Sequence, residues 1–220
     1  MLVWAGGALF ATALAVTGWW YGVILDRALP RGGGSAVAVD VTLITLFALH
    51  HSLCAREPIK RAIARWVPPH LVRSLYVWVA SLLLLGVCWL WRPVGGEWYR
   101  ASGPMAIGLT LVQLAGLWIT ARAAAKIDPL ELAGIHAARS GGLQTGGPYR
   151  WVRHPLYFGW ALMVFGAAHM TGDRLAFASL TTIYLAVAIP WEERSLRRSF
   201  GEEYTRYMRA VRWRMIPFIY

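Results

Sequence analysis

Charge is scarce in this chain. Asp, Glu, Lys and Arg make up 15% of its 220 residues, against about a quarter in ordinary soluble domains. With 57% hydrophobic residues, that scarcity excludes a solvated globular domain and points to the bilayer. Acid is scarcer still: 11 Asp and Glu stand against 22 Lys and Arg, for a net charge of +11. Cysteine is nearly absent. Cys54 and Cys88 both fall in or beside apolar runs, so a disulfide framework is not indicated and buried thiols are expected. Internal repeats and low-complexity tracts are missing too, which excludes a solenoid.

Apolar length is abundant. Six segments, at about 3–25, 37–54, 72–91, 103–125, 155–170 and 175–190, approach the span a bilayer demands. The first lacks a basic n-region and reads as a retained span. The last two are short and joined at Thr171-Gly172-Asp173, so they read as a tight helical hairpin or as tilted, partly re-entrant helices. After them Leu196, Phe200, Tyr204, Tyr207 or Met208, and Val211 form a helical stripe. That predicts an amphipathic C-terminal helix along the membrane surface, weakened in its middle by Gly201. The expected fold is all-α: a polytopic integral membrane protein with about six transmembrane helices plus that tail. It forms one membrane domain over 1–220. Residues 1–142 supply the N-terminal helices and the acceptor side, and 143–220 form the binding core.

The basic residues lie between the apolar runs. Arg56, Lys60, Arg61, Arg65 and Arg73 (against Glu57) follow segment two. Arg122, Lys126, Arg139, Arg150 and Arg153 (against Asp128 and Glu131) follow segment four. Arg194, Arg197, Arg198, Arg206, Arg209, Arg212 and Arg214 fill the tail. The alternate connections are nearly neutral. A basic soluble protein suggests nucleic acid, but this distribution suggests anionic lipid headgroups and no nucleic acid. The positive-inside rule puts both termini and all three basic regions in the cytoplasm. Thirteen Trp fit aromatic belts at two interfaces.

One polar stretch is out of place in so apolar a chain. Gly147-Pro148-Tyr149-Arg150-Trp151-Val152-Arg153-His154-Pro155-Leu156-Tyr157-Phe158-Gly159 runs from a loop into an apolar helix. Glu192-Glu193 follows at the end of the next apolar segment. Pro155 suits the first position of a helix, and free N–H groups there suit an anion such as a carboxylate. Gly146-Gly147-Pro148 permits close backbone approach to a ligand. Tyr149, Trp151, Tyr157 and Trp160 offer aromatic faces, and the Glu pair offers negative charge. A ligand with a carboxylate, a flat ring and a cationic centre finds a partner for each part, and S-adenosylmethionine is such a ligand. Plainer readings exist. Arg153 and His154 suit positive-inside anchors, the Glu pair suits the start of the tail helix, and Glu193 with Arg197 is an i,i+4 pair. Co-occurrence in this order, on one membrane face, favours a site.

GPYRWVRHPLYFGW, then EERSLRRSFGEEYTRYMRAV and a terminal IPFI, resemble the integral-membrane methyltransferases that include isoprenylcysteine carboxyl methyltransferase and the phospholipid methyltransferases. The likeness covers about residues 143–219. Upstream, HHSLCAREPIKRAIARWVPPHLVRSLYVWVASLLLL, Trp91-Arg92-Pro93 and IDPLELAG at 127–134 are similar to the bacterial methanethiol S-methyltransferase branch and its NnrU-like relatives. The resemblance implies S-adenosylmethionine as methyl donor at the cytoplasmic face of a bacterial inner membrane. The acceptor, a small or lipophilic thiol or carboxylate, would enter from the bilayer. By motif position, Gly147, Pro148, Tyr149, Arg153, His154, Pro155, Tyr157, Gly159, Glu192, Glu193 and Tyr204 would bind the donor, with Arg153, Glu192 and Glu193 catalytic. His51, Arg150 and Tyr207 fall to the acceptor side. The tail departs from the eukaryotic carboxyl methyltransferases: Arg212-Trp213-Arg214 stands where they have a Pro-containing link.

Two other functions remain open, a phospholipid N-methyltransferase and a non-catalytic NnrU-like or haem-linked membrane protein. An Arg-rich site favours an acceptor that reacts as an anion over an amine, which needs a base. His50 and His51 point about 100° apart on a helix and cannot easily share one metal; no metal is expected. One of them is either packed at a helix interface or turned to an acceptor pocket. His70, His136 and His169 read as loop or interfacial residues.

Overall fold

The computed structural model describes residues 1–54, 56–126 and 142–220. The 127–134 stretch, with Asp128 and Glu131, and His136 and Arg139 lie outside the described residues, as do the side chains of Glu57 and His70. The described elements are mostly helical: α1 (Leu2–Trp19, closed by a π turn Trp20–Ile24), α2 (Gly34–Cys54), α3 (Glu57–Ile63), α4 (Pro69–Leu90), α5 (Gly103–Ala124), α6 (Pro155–Phe165) and α7 (Gly172–Ala210). Two short strands, β1 (Glu97–Arg100) and β2 (His169–Thr171), pair as a small sheet.

Five helices are long and apolar enough to cross a membrane: Leu2–Ile24, Gly34–Cys54, Leu71–Leu90, Gly103–Ala124 and Gly172–Ala210. Their outer faces leave large apolar side chains uncovered, among them Leu14, Leu46, Leu49, Leu82, Leu111, Leu114 and Ile183. Water would penalise such a surface and lipid does not. The protein is an integral membrane protein.

The expected pair of short final helices is half right. α6 is short, at 11 residues. The sixth segment is not a separate short helix, because α7 runs on for 39 residues, with Pro190 inside it. Proline is tolerated in membrane helices when neighbours re-satisfy the freed backbone groups, and the residues beyond are mostly good helix formers. The break comes at Gly201 instead, at φ 53 and ψ −124, a conformation open almost only to glycine. At 1.5 Å per residue the hydrocarbon takes about 20 residues. Counted from Gly172, it ends near Pro190, and Glu192, Glu193 and the tail lie beyond it.

The chain divides into two compact units interleaved along the sequence. The first holds Met1–Trp98 and Thr171–Ala176. In it α4 packs on α1 and α2. Gly6 faces the Trp78 indole so closely that a Cβ would lie 2.7 Å from its Nε1. Its organising residues are polar. Asp173 accepts hydrogen bonds from Trp91 Nε1 (2.8 Å), Val94 N (2.8 Å) and Gly95 N (3.0 Å). Arg174 pairs with Asp26 and donates to the Tyr21 and Gly22 carbonyls. Asp40 accepts from Arg92 N at 2.8 Å. In α2, His51 Nδ1 is 2.7 Å from the Tyr76 hydroxyl and the His50 ring stacks on Tyr76.

The second unit holds 99–126, 142–170 and 177–220. Its central contact is α5 against α6, set by small residues as membrane packing favours. A Cβ on Gly159 would strike Thr120 Oγ1 and stand 2.7 Å from the Gly116 carbonyl. One on Gly116 would stand 2.5 Å from Met163 N. Gln113 Nε2 donates to the Met163 carbonyl at 2.9 Å.

Candidate functional site

The second unit brings the polar motif and the Glu pair together. Gly147, at φ 63, turns the chain into a 3-10 turn over Gly147–Arg150. That turn delivers Val152, Arg153 and His154 into the interior. His154 precedes α6 in a non-helical conformation and Pro155 starts the helix, as expected from proline's fixed φ and missing donor. The amides before it are already engaged. Arg153 N donates to the Trp213 carbonyl at 2.9 Å and His154 N to the Arg214 carbonyl at 2.8 Å. The motif therefore pairs with the tail, and these two N–H groups do not await an anion.

Arg153 and Glu193 form the sealed centre. Arg153 Nε lies 2.6 Å from Glu193 Oε1, with both side chains 5% exposed or less. Arg153 Nη1 donates to the Val211 and Arg212 carbonyls at 2.8 and 2.7 Å. Burial alone would raise the Glu193 carboxyl. Hydrogen bonds from His154 and Arg153, with the Arg153 charge, outweigh it and bring the carboxyl down to about 2. Charge-assisted bonds of this kind favour the anion strongly. Glu193 is a fixed anion and not a proton acceptor.

Glu192 is its open counterpart. Its side chain is 44% exposed and accepts from the Tyr157 hydroxyl at 2.8 Å. His154 stands between the two carboxylates, Nδ1 at 3.5 Å from Glu192 and Nε2 at 3.5 Å from Glu193. Its ring stacks on Tyr157 at 5.4 Å.

Two apolar clusters flank this centre. Ala161, Ile189 and Met215 form one, with Tyr157, Ala186, Ile216 and Tyr220 packed against them. Tyr204, Tyr207 and Val211 form the other, with Leu143, Tyr149, Leu196, Phe200 and Met208. The Gly201 break redirects α7 so that Tyr204 and Tyr207 are buried. Burial, reinforced for Tyr204 chiefly by Glu193, pushes both phenols above the ordinary tyrosine range, and burial with the Glu192 charge does the same to Tyr149. All three are neutral donors at physiological pH. Tyr207 uses its hydroxyl on the Tyr149 carbonyl at 2.8 Å. The Tyr204 hydroxyl is buried beside Arg153, and among the described residues no acceptor takes its hydrogen, which is costly unless a ligand supplies one.

Most expected residues therefore converge: Gly147, Pro148, Tyr149, Arg153, His154, Pro155, Tyr157, Glu192, Glu193 and Tyr204 belong to this centre or the turn feeding it. Gly159 serves instead as the contact point of α6 on α5. Arg150 is exposed at the end of the 3-10 turn. His51 belongs to the first unit and its Tyr76 pair. Among the described residues no three His, Cys, Asp or Glu side chains are grouped to hold a metal.

Tyr220 escaped the sequence reading, and Arg214 figured in it only as one of the basic residues of the tail. Arg214 places Nε 3.4 Å from Glu193 Oε2 and its guanidinium 5.2 Å above the Tyr220 ring. Tyr220 accepts at its main-chain oxygen from the amides of Arg214, Met215 and Ile216 at 2.8–3.0 Å. Its hydroxyl donates to the Ala186 carbonyl at 3.3 Å. In sequence both look like parts of a charged, aromatic tail. The one available sign was that Arg214 stands at the point of departure from the carboxyl methyltransferases.

Residues 104–203 match the family model described as phospholipid methyltransferase. Methanethiol S-methyltransferase 1 of Bradyrhizobium diazoefficiens is 34% identical over 216 residues, covering 92% of this chain and 76% of that protein. Methanethiol S-methyltransferase of Mycobacterium tuberculosis is 33% identical over 224 residues, covering 94% and 92%. Nurim of Danio rerio is 30% identical over 171 residues, covering 70% and 62%. No solved structure matches.

Proposed function

The chain belongs to the family of membrane methyltransferases that holds the methanethiol S-methyltransferases, and on that premise we propose that it transfers a methyl group from S-adenosylmethionine to a small thiol at the cytoplasmic membrane face. The donor supplies a methyl group activated on a sulfonium. The supporting observation is the contrast between the two carboxylates. Glu193 is locked to Arg153, whereas Glu192 is open and aimed by Tyr157. An open carboxylate beside aromatic rings is the surrounding a sulfonium prefers. The buried Tyr204 hydroxyl fits the donor as well, since it offers a hydrogen bond that no acceptor among the described residues takes.

Positioning and exclusion of water carry most of such an in-line transfer. Tyr149, Tyr204 and Tyr207 supply the apolar wall, and His154, stacked on Tyr157, fixes the ring whose hydroxyl holds Glu192. A thiol reacts as thiolate. Glu193, ionised down to about 2, cannot take its proton, and the two arginines beside it, Arg153 and Arg214, suit an acceptor that reacts as an anion. That favours thiolate, or carboxylate, over the amine of a phospholipid.

Titration of S-adenosylmethionine into protein in lipid nanodiscs tests this. Glu192→Gln is expected to weaken binding more than tenfold. Tyr204→Phe should weaken it by roughly fivefold to tenfold, as loss of one hydrogen bond of about 1 kcal/mol implies. Unchanged binding in both variants sinks the assignment. Label from methyl-labelled donor should pass to methanethiol and not to phosphatidylethanolamine; no binding by the wild-type protein would favour a non-catalytic role.

A further inference from the structure

Arg153 is the motif's own cation at this centre, and the structure leaves it little to offer an anion. Its guanidinium is buried, bonded to Glu193 and to two main-chain carbonyls. Beside the same Glu193 stands a second guanidinium in the opposite condition. Arg214 is 37% exposed. Its contact with Glu193 Oε2 is 3.4 Å, and Nη1 is 3.3 Å from the Tyr220 hydroxyl. These contacts orient the planar fork without covering it, and the Tyr220 ring backs one face. The main chain is fixed as well, because the Arg214 carbonyl takes the His154 amide and the Arg214 amide is tied to Tyr220. A guanidinium held this way keeps donors available for a planar anion at little entropic cost.

We infer that Arg214 is the anion-binding residue of this site: its guanidinium, held by Glu193 and Tyr220, takes an anionic group of a bound ligand, the carboxylate of the methyl donor or the thiolate of the acceptor. The inference rests on the function proposed above. It gives the two charge pairs separate duties. Arg153 with Glu193 is the closed pair that builds the centre. Arg214 and Glu192 are the exposed charges that meet the anionic and cationic parts of what binds.

The test titrates S-adenosylmethionine and its decarboxylated analogue into wild-type, Arg214→Gln and Arg214→Lys proteins in nanodiscs, and measures methanethiol turnover. If Arg214 holds the donor carboxylate, Arg214→Gln binds S-adenosylmethionine at least tenfold more weakly, Arg214→Lys is intermediate, and the decarboxylated donor binds all three alike. If it holds the thiolate, donor binding is unchanged and kcat/KM for methanethiol falls at least tenfold in Arg214→Gln. Equal weakening towards both donors would mean that Arg214 only steadies Glu193, and overturns the inference; so does no change in any of these quantities. Wild-type protein that binds neither donor overturns the functional reading itself, and this inference with it.

Discussion

Glu192 and Glu193 are adjacent in sequence, yet one is 44% exposed and the other 3%. The difference has a measurable consequence in pH. The ordinary glutamate value is 4.5 and that of Glu193 in the fold is about 2. A depressed carboxyl contributes stability that is complete above the unfolded value and lost as pH falls through the folded one. At ~1.4 kcal/mol per unit, Glu193 is worth about 3 kcal/mol at neutral pH. Thermal melting in nanodiscs is expected to be flat with respect to this group from pH 7 to 5 and to fall from about 4.5 towards 2. Glu193→Gln should flatten that fall. It should also lower stability at pH 7 by roughly 3–5 kcal/mol, since it leaves Arg153 as an uncompensated buried charge. Glu192→Gln should leave the melting profile within about 0.5 kcal/mol of wild type. The importance of the pair was legible in the sequence, because acids are rare here and these two close an apolar run. Which of them is sealed was not, since that depends on Arg153 and His154 arriving from one distant segment and Arg214 from another.

The elements show the same division. Pro155 at the start of α6 and the weakness at Gly201 follow from the covalent limits of proline and glycine, so local sequence was enough. The run of α7 past Pro190 was not readable, because whether a proline ends a membrane helix depends on neighbours that re-satisfy the backbone. Gly159 carries the same lesson. The family resemblance puts it among the donor-binding residues, and in the fold it is where α6 meets α5. Gly159→Val should therefore act as an overpacking change, costing roughly 1–3 kcal/mol or more. The check is a lowered melting temperature, with donor affinity per folded molecule little changed. Gly201→Ala should act differently. Nothing lies within 4 Å of the added methyl, so the penalty is conformational, about 1–3 kcal/mol. It should be felt as weaker donor binding, through Tyr204 and Tyr207.

At the scale of the whole molecule, the alternation of basic and neutral connections expects Ser199 and Ser35 on opposite sides of the membrane. Both are exposed. In a variant with Cys54 and Cys88 replaced by Ala, Ser199→Cys should react with an impermeant maleimide only when the cytoplasmic side is opened, and Ser35→Cys from outside in intact cells. Labelling of both from one side overturns the orientation. A different consequence follows from Thr171–Ala176. Asp173 holds the 91–95 loop and Arg174 holds Asp26, although both follow the first unit's other described residues by more than seventy positions in the chain. During synthesis the early helices reach the bilayer well before these two residues leave the ribosome. The first unit cannot complete itself in the order in which it is made. It has to wait, half-assembled in the lipid, for a few residues translated well after the rest of it.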